Sequence, residues 1–226
     1  ETMNHLLNEE QFPAGFLPAW FEARRRHALE QAEQLPEPSR HMESWRFGAP
    51  GNESLEHVEA APPAAPETLA PIIRERASMP EALRIVYANG LPVSIPEELP
   101  EGLSVMDMED FVLQCPDTAR KYLETETETL GSEKLSALTT ALQHNGLVIM
   151  ADREISLPLE ILHFISGDNV AVFPSTLLIA ETGSRLHILE RHLSADHGRQ
   201  FCGALQQYHL SSASSVKYAL VQELNS

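Results

Sequence analysis

The chain has 226 residues, 42% hydrophobic and 22% charged, the balance of a soluble globular protein with enough length to bury a sizeable core. Its 33 acidic against 16 basic side chains give a net charge of −17, a surface that repels phosphate backbones and anionic lipid and so argues against nucleic-acid and membrane-surface partners. Two separated cysteines, Cys115 and Cys202, make no disulfide framework, and the opening ETMNHLLNEEQF has no basic segment leading into an apolar core; both point to a cytoplasmic protein.

Pro18 suits the first position of a helix that runs to about Leu35, with Trp20, Phe21, Ala28, Leu29, Ala32 and Leu35 forming an approximate apolar stripe. Pro36 and Pro38 stop it, since proline can neither donate to the helical ladder nor leave its predecessor free to be helical. PSRHMESWRF follows, where Trp45 among charges reads as a packing peg with Arg40, Glu43 and Arg46 left in water or paired. From Gly48 to Pro71 alanine, proline, glycine and glutamate dominate, which predicts an extended linker or an irregular surface segment. LRIVYANGLPVSI, Leu83–Ile95, predicts a hairpin, because Asn89-Gly90 tolerates the positive φ angles of a type I′ turn. MEDFVLQCPDTARKYLE predicts one or two short helices, and Ser132–His144 another with Leu135, Leu138, Thr139 and Leu142 on one side. Asn145-Gly146 closes it as a left-handed helix end.

From Leu147 onward short apolar and β-branched runs recur, among them GLVIMA, EISLPLEILHFI, NVAVFPSTLLIA, RLHILERHL and VKYALVQEL, separated by SGDN, ETGS, SADHG and SSASS. This is an all-β pattern: sandwich, barrel or β-helix. The scarcity of clean in/out alternation and the Ser, Gly, Asp and Asn turns suit stacked coils, which favours a β-helix over a sandwich without a fixed repeat length to settle it. The chain then divides into a helical region with its Ala/Pro-rich linker over 1–82, a small α/β region over 83–146, and the first rungs of the β-helix over 147–226. Such a solenoid ending at Ser226 leaves an open rung, so the expectation is a truncated one whose edge pairs with a second copy.

Chemistry is hard to find. His187, His192 and His197 recur at intervals of five, which alternates faces on a strand and assembles no ligand set. No HExxH, CxxC, GxSxG, P-loop or GxGxxG occurs. Cys202 reads as a small buried residue, with Arg199 too little cationic support for a reactive thiol. The cluster Arg185, Glu190 and Arg191 is the one feature that would suit a carbohydrate-active β-helix, a lyase or esterase, and a solvated face explains it as well. No catalytic and no metal residue is assigned, and cofactor-binding residues are unknown.

In order, FLPAWFEARRRHALEQAEQLP, PSRHMESWRF, VYANG, LSALTTALQHNGLVIMADREISLPLEI, FPSTLLIAETGSRLHILERHLS and SSASSVKYALVQEL resemble the SufB/SufD family, the non-ATPase subunits of the SUF iron–sulfur cluster assembly machine. The SufD branch matches Leu35, Pro36, Arg40, Glu43 and Trp45, the Asn89-Gly90 pair, Pro158, and the block from Pro174 to Glu190; Ser39 and Phe47 replace its usual threonine and tyrosine. The resemblance implies a right-handed parallel β-helix behind a helical N-terminal domain. It also implies a scaffold rather than an enzyme, partnered by a SufB-like subunit and by the SufC ABC-type ATPase. An iron–sulfur cluster is implied for the assembled complex, and no cofactor is implied for this segment. The family's cluster-related cysteine and histidine positions lie mostly in a distal half not matched here, as does its SufC-docking helical end, so no ligand residue carries over.

Overall fold

The structure, a computed structural model, describes residue 6 and residues 17–36, 38–43, 58–64, 66–125, 131–142 and 146–225. Trp45, Phe47 and residues 48–57 of the expected linker lie outside these residues.

Helix α1, Ala19–Gln34, begins behind Pro18 and ends at an extended Leu35. It buries Phe21, Arg25, Ala28 and Ala32, positions that fall on one side of a 3.6-residue period. Arg25 is the surprise on that stripe. Its Nε donates to the Ala141 carbonyl at 3.1 Å, its Nη1 lies 3.5 Å from Glu22, and burial lowers its pKa to about 10 against the opposing pull of Glu22. The guanidinium thus ties α1 to a second helix 116 residues away in sequence.

Strand β1, Glu59–Ala60, leads to helix α2, Pro66–Arg76. This helix departs from the expected linker: Leu69, Ile72 and Ile73 pack on Val86, Ala88, Leu162, Phe164 and Leu193, and that burial outweighs the ladder bond lost at Pro71. Strands β2 (Leu83–Ala88) and β3 (Leu91–Ser94) form an antiparallel hairpin. Asn89 and Gly90 turn it at φ +48° and +80°, as a type I′ turn requires. Strand β4, Leu103–Asp107, runs straight into α3, Met108–Gln114, and α4, Pro116–Leu123; α5, Glu133–Leu142, follows.

Eight strands complete the chain: β5 (Leu147–Ala151), β6 (Leu159–Ile165), β7 (Val170–Val172), β8 (Ser175–Ala180), β9 (Arg185–Ser194), β10 (Gln200–Cys202), β11 (Leu205–Leu210) and β12 (Ser215–Glu223). They enter three sheets, ordered β1-β7-β10, β11-β8-β5-β4 and β12-β9-β6-β2-β3. The two larger sheets are mixed, since β4 lies antiparallel to β5 and β3 antiparallel to β2, while their remaining pairs are parallel.

This corrects the expected right-handed parallel β-helix. The sheets are mixed and combined with helices, an α/β fold. The physical reason for the misreading is double-sided burial. Ile85, Ile149, Leu159, Ile161, Leu178, Leu186 and Ile188 fill the space between the two larger sheets. Phe21 of α1, Phe111 of α3 and Leu123 of α4 cover Val148, Leu177 and Ile179 on the outer face of the four-stranded sheet. Strands β6 and β8 are therefore buried at every residue and read as unbroken apolar runs, the signature also expected of stacked coils.

Gly146 is needed for a reason other than a left-handed helix end. Its φ is not positive, but a Cβ there would collide with the Ser175 hydroxyl, and its carbonyl accepts the Met108 amide at 2.6 Å. Among the described residues no helix is long and apolar enough to cross a membrane.

Candidate functional site

On β9 the side chains alternate. Leu186, Ile188, Glu190 and His192 are buried, whereas Arg185 and His187 are exposed and Arg191 is only partly covered. Parallel pairing with β6 sets His163 beside His192 and Ile161 beside Glu190, and pairing of β6 with β2 sets Tyr87 beside His163. Two residues apart on one strand and one strand over, the three polar groups converge. His163, Glu190 and His192 each offer a ligand atom within 4.8 Å of the others, and all three residues are buried.

Glu190 is the hub. Its Oε1 lies 2.7 Å from His192 Nε2 and accepts Gln206 Nε2 of β11 at 3.1 Å. Its Oε2 accepts the Thr176 hydroxyl of β8 at 3.2 Å and the Tyr218 hydroxyl of β12. Burial alone would raise the carboxyl pKa, but the two histidines overcome it and hold Glu190 well below the usual carboxylate range. Proximity to that carboxylate works in reverse on Tyr218, whose pKa is raised first by burial and then by Glu190.

His192 uses both ring nitrogens. Nε2 faces Glu190, and Nδ1 lies 3.0 Å from Cys202 Sγ at the end of β10. Burial pulls its pKa down, and the bonds to Cys202 and Glu190 more than restore it, leaving the imidazole readier to carry a proton than a free one. Thiol, imidazole and carboxylate in a row form an arrangement that can hold a proton between sulfur and oxygen. Cys115, on the outer side of the four-stranded sheet, belongs to the apolar layer under α3 and α4, and both thiols are free.

His163 differs. Its Nε2 lies 3.4 Å from Glu190 Oε1, an ion-pair distance, but without hydrogen-bonding geometry, and it is a buried atom with no hydrogen-bond partner. The ring is sandwiched between Tyr87, at 5.4 Å between centroids, and His192, at 4.8 Å. Beyond it the Tyr87 hydroxyl donates to Asp107 Oδ1 at 3.2 Å. Burial raises the Asp107 pKa to about 6, opposed by the Tyr87 hydroxyl and backbone amides.

Of the residues considered in the sequence, the structure brings Glu190, His192 and Cys202 together and separates the rest. His187 and His197 are exposed. Arg185 pairs with Glu154 at 3.6 Å, and Arg191 points away from Glu190 to Glu223, so the cluster that suited a carbohydrate site does not converge. His163 was missed altogether. The available signal was the spacing of Glu190 and His192, two residues apart at inward positions otherwise held by Leu186 and Ile188.

No protein-family model matches the chain. Among curated proteins, the iron–sulfur cluster assembly protein SufD of Bacillus subtilis is 24% identical over 220 residues, 92% of this chain and 50% of that protein. Iron–sulfur cluster assembly SufBD family proteins of Mycobacterium tuberculosis and Mycobacterium bovis are 31% identical over 97 residues, 42% of this chain and 11% of each relative. The chain is thus similar to SufD and SufBD family proteins of iron–sulfur cluster assembly. The similarity to this SufD runs along nearly the whole chain, which spans about half the length of that protein.

Proposed function

We propose that the protein is a SufD-like scaffold subunit of iron–sulfur cluster assembly, acting with a SufB-like subunit and a SufC-like ABC ATPase in the cytoplasm. The observation that carries this reading is the similarity to a SufD over 92% of the chain. The acidic surface and the absence of a nucleotide motif agree with a subunit that responds to a partner's ATP cycle. In this reading the iron–sulfur cluster is the cargo of the assembled complex, and the polypeptide is no catalyst by itself. A carbohydrate-active enzyme is disfavoured by the divergence of Arg185, Glu190 and Arg191.

Partner contact has a surface to use. Strands β11 and β12 are edge strands with Tyr208, Leu210, Leu220 and Val221 exposed, a template on which a SufB-like subunit or a second copy of this chain can add a strand. The test is co-expression of the full-length gene product, tagged, with the SufB-like and SufC-like proteins of the same genome. A stoichiometric complex is expected, and clean failure to associate with either contradicts the reading.

A further inference from the structure

The buried cluster is overbuilt for a structural ion pair. A carboxylate needs one cation or a few donors to be buried without penalty. Glu190 already has Thr176, Tyr218, Gln206 and His192. A second imidazole, His163, is nevertheless placed against it with Nε2 3.4 Å from the carboxylate and no hydrogen bond made. A buried donor or acceptor left unpaired is costly, so its persistence asks for an occupant.

We propose that His163, Glu190 and His192 bind one first-row divalent transition-metal ion. Two imidazoles and one carboxylate form the donor set that zinc and ferrous iron prefer. With metal–ligand bonds of about 2.0–2.2 Å, neighbouring donors stand roughly 3–3.5 Å apart around the ion. The 3.4 Å gap between His163 Nε2 and Glu190 Oε1 already has that span. The 2.7 Å contact between His192 Nε2 and Glu190 has to open by less than an ångström as the ion replaces the shared proton, and the widest separation in the set, within 4.8 Å, has to close around it. The surroundings are those of a metal site as well. Thr176 and Tyr218 hold Oε2 and thereby orient Oε1 toward the imidazoles, and the Cys202 sulfur engages the ring nitrogen of His192 that the ion leaves free. Three protein donors leave further coordination positions open. Access is from the side of β11 and β12, where Gln206 and Tyr218 are only partly buried. This inference rests on the geometry of the cluster and stands or falls apart from the family-based function.

Cobalt(II) serves as probe. The 226-residue chain, stripped with chelator and kept reduced, is titrated with Co²⁺ and followed by visible absorption, and its zinc-loaded form is examined by X-ray absorption. One equivalent with ligand-field bands and no thiolate charge-transfer band is expected, together with a zinc shell of two imidazoles and carboxylate oxygen. His163→Gln and Glu190→Gln should each weaken binding more than about 100-fold, since even outer partners of a metal ligand cost 10–100-fold. His187→Gln, at an exposed position, should leave it unchanged. Absence of a stoichiometric spectrum, equal binding by the folded variants, or a shell of sulfur or water oxygen alone would overturn the proposal; the last readout needs no variant to fold.

Discussion

Glu160 and Glu190 are both fully buried, on neighbouring strands, and they are solved in opposite ways. Glu160 lies on the outer side of β6, where Oε1 accepts the Ser78 amide and hydroxyl at 2.8 and 2.6 Å and Oε2 accepts Arg84 Nε at 2.8 Å. Burial would raise its pKa, and Ser78 and Arg84 bring it below the ordinary value. Its permanent cation and its closed set of donors make it a pin between β2, β6 and the segment after α2. Glu190 is held by histidines, tyrosine and glutamine, none of them a permanent cation, beside an imidazole nitrogen with no bond of its own. The contrast separates framework from site. Asp107 marks the third case: a buried carboxyl with a tyrosine and backbone amides but no cation, and its pKa rises to about 6.

The comparison breaks most sharply at Arg84. Arg84→Met leaves Glu160 buried without its cation, and urea unfolding should show a loss of about 3–5 kcal/mol. Arg84→Met with Glu160→Met should recover most of it, and a double variant as unstable as the single one would mean that Glu160 is not held by charge. Asp107 gives the next effect. Its folded pKa is raised, so its stabilising contribution is complete below about pH 4 and is lost as the pH rises through about 6. The loss is of order 3 kcal/mol. Asp107→Asn should therefore gain on the native chain between pH 4 and pH 7, and an equal difference at both values would contradict the assignment. Glu160 and Glu190 have the opposite sign, stabilising above the unfolded carboxylate range and failing as the pH falls. The smallest effect is at His163. In chelator, His163→Leu removes an imidazole that makes no hydrogen bond but supports the Glu190 carboxylate from ion-pair distance, and should cost about 1–2 kcal/mol. A loss as large as that of Arg84→Met would make His163 a pin like Arg84 rather than a ligand in waiting.

The local elements were readable because their causes are local. Pro18 and Pro36 bound α1, and Asn89-Gly90 supplies the two positive φ angles of the hairpin. What failed depends on what lies across from a strand. The runs over 147–226 look the same whether rungs or helices bury their second face, and only the antiparallel partners β3 and β4 and the helical cover distinguish the two. Helix α2 hid in a proline-rich composition because its stability comes from Leu69, Ile72 and Ile73 on the sheet. The site was illegible for a similar reason: His163 and His192 are 29 residues apart and meet only through parallel register, and Cys202 arrives from a different sheet.

The distinction between pin and site can be tested in one measurement, thermal unfolding of the native chain, Glu160→Gln and Glu190→Gln with and without zinc at about 100 times its dissociation constant. Such saturation adds about 2.7 kcal/mol, which is about 5–10 °C for a chain of this size. The native chain and Glu160→Gln should gain that increment alike, the latter from a lower starting point, and Glu190→Gln should gain none. An equal gain in all three, or a gain lost in Glu160→Gln and kept in Glu190→Gln, would contradict it.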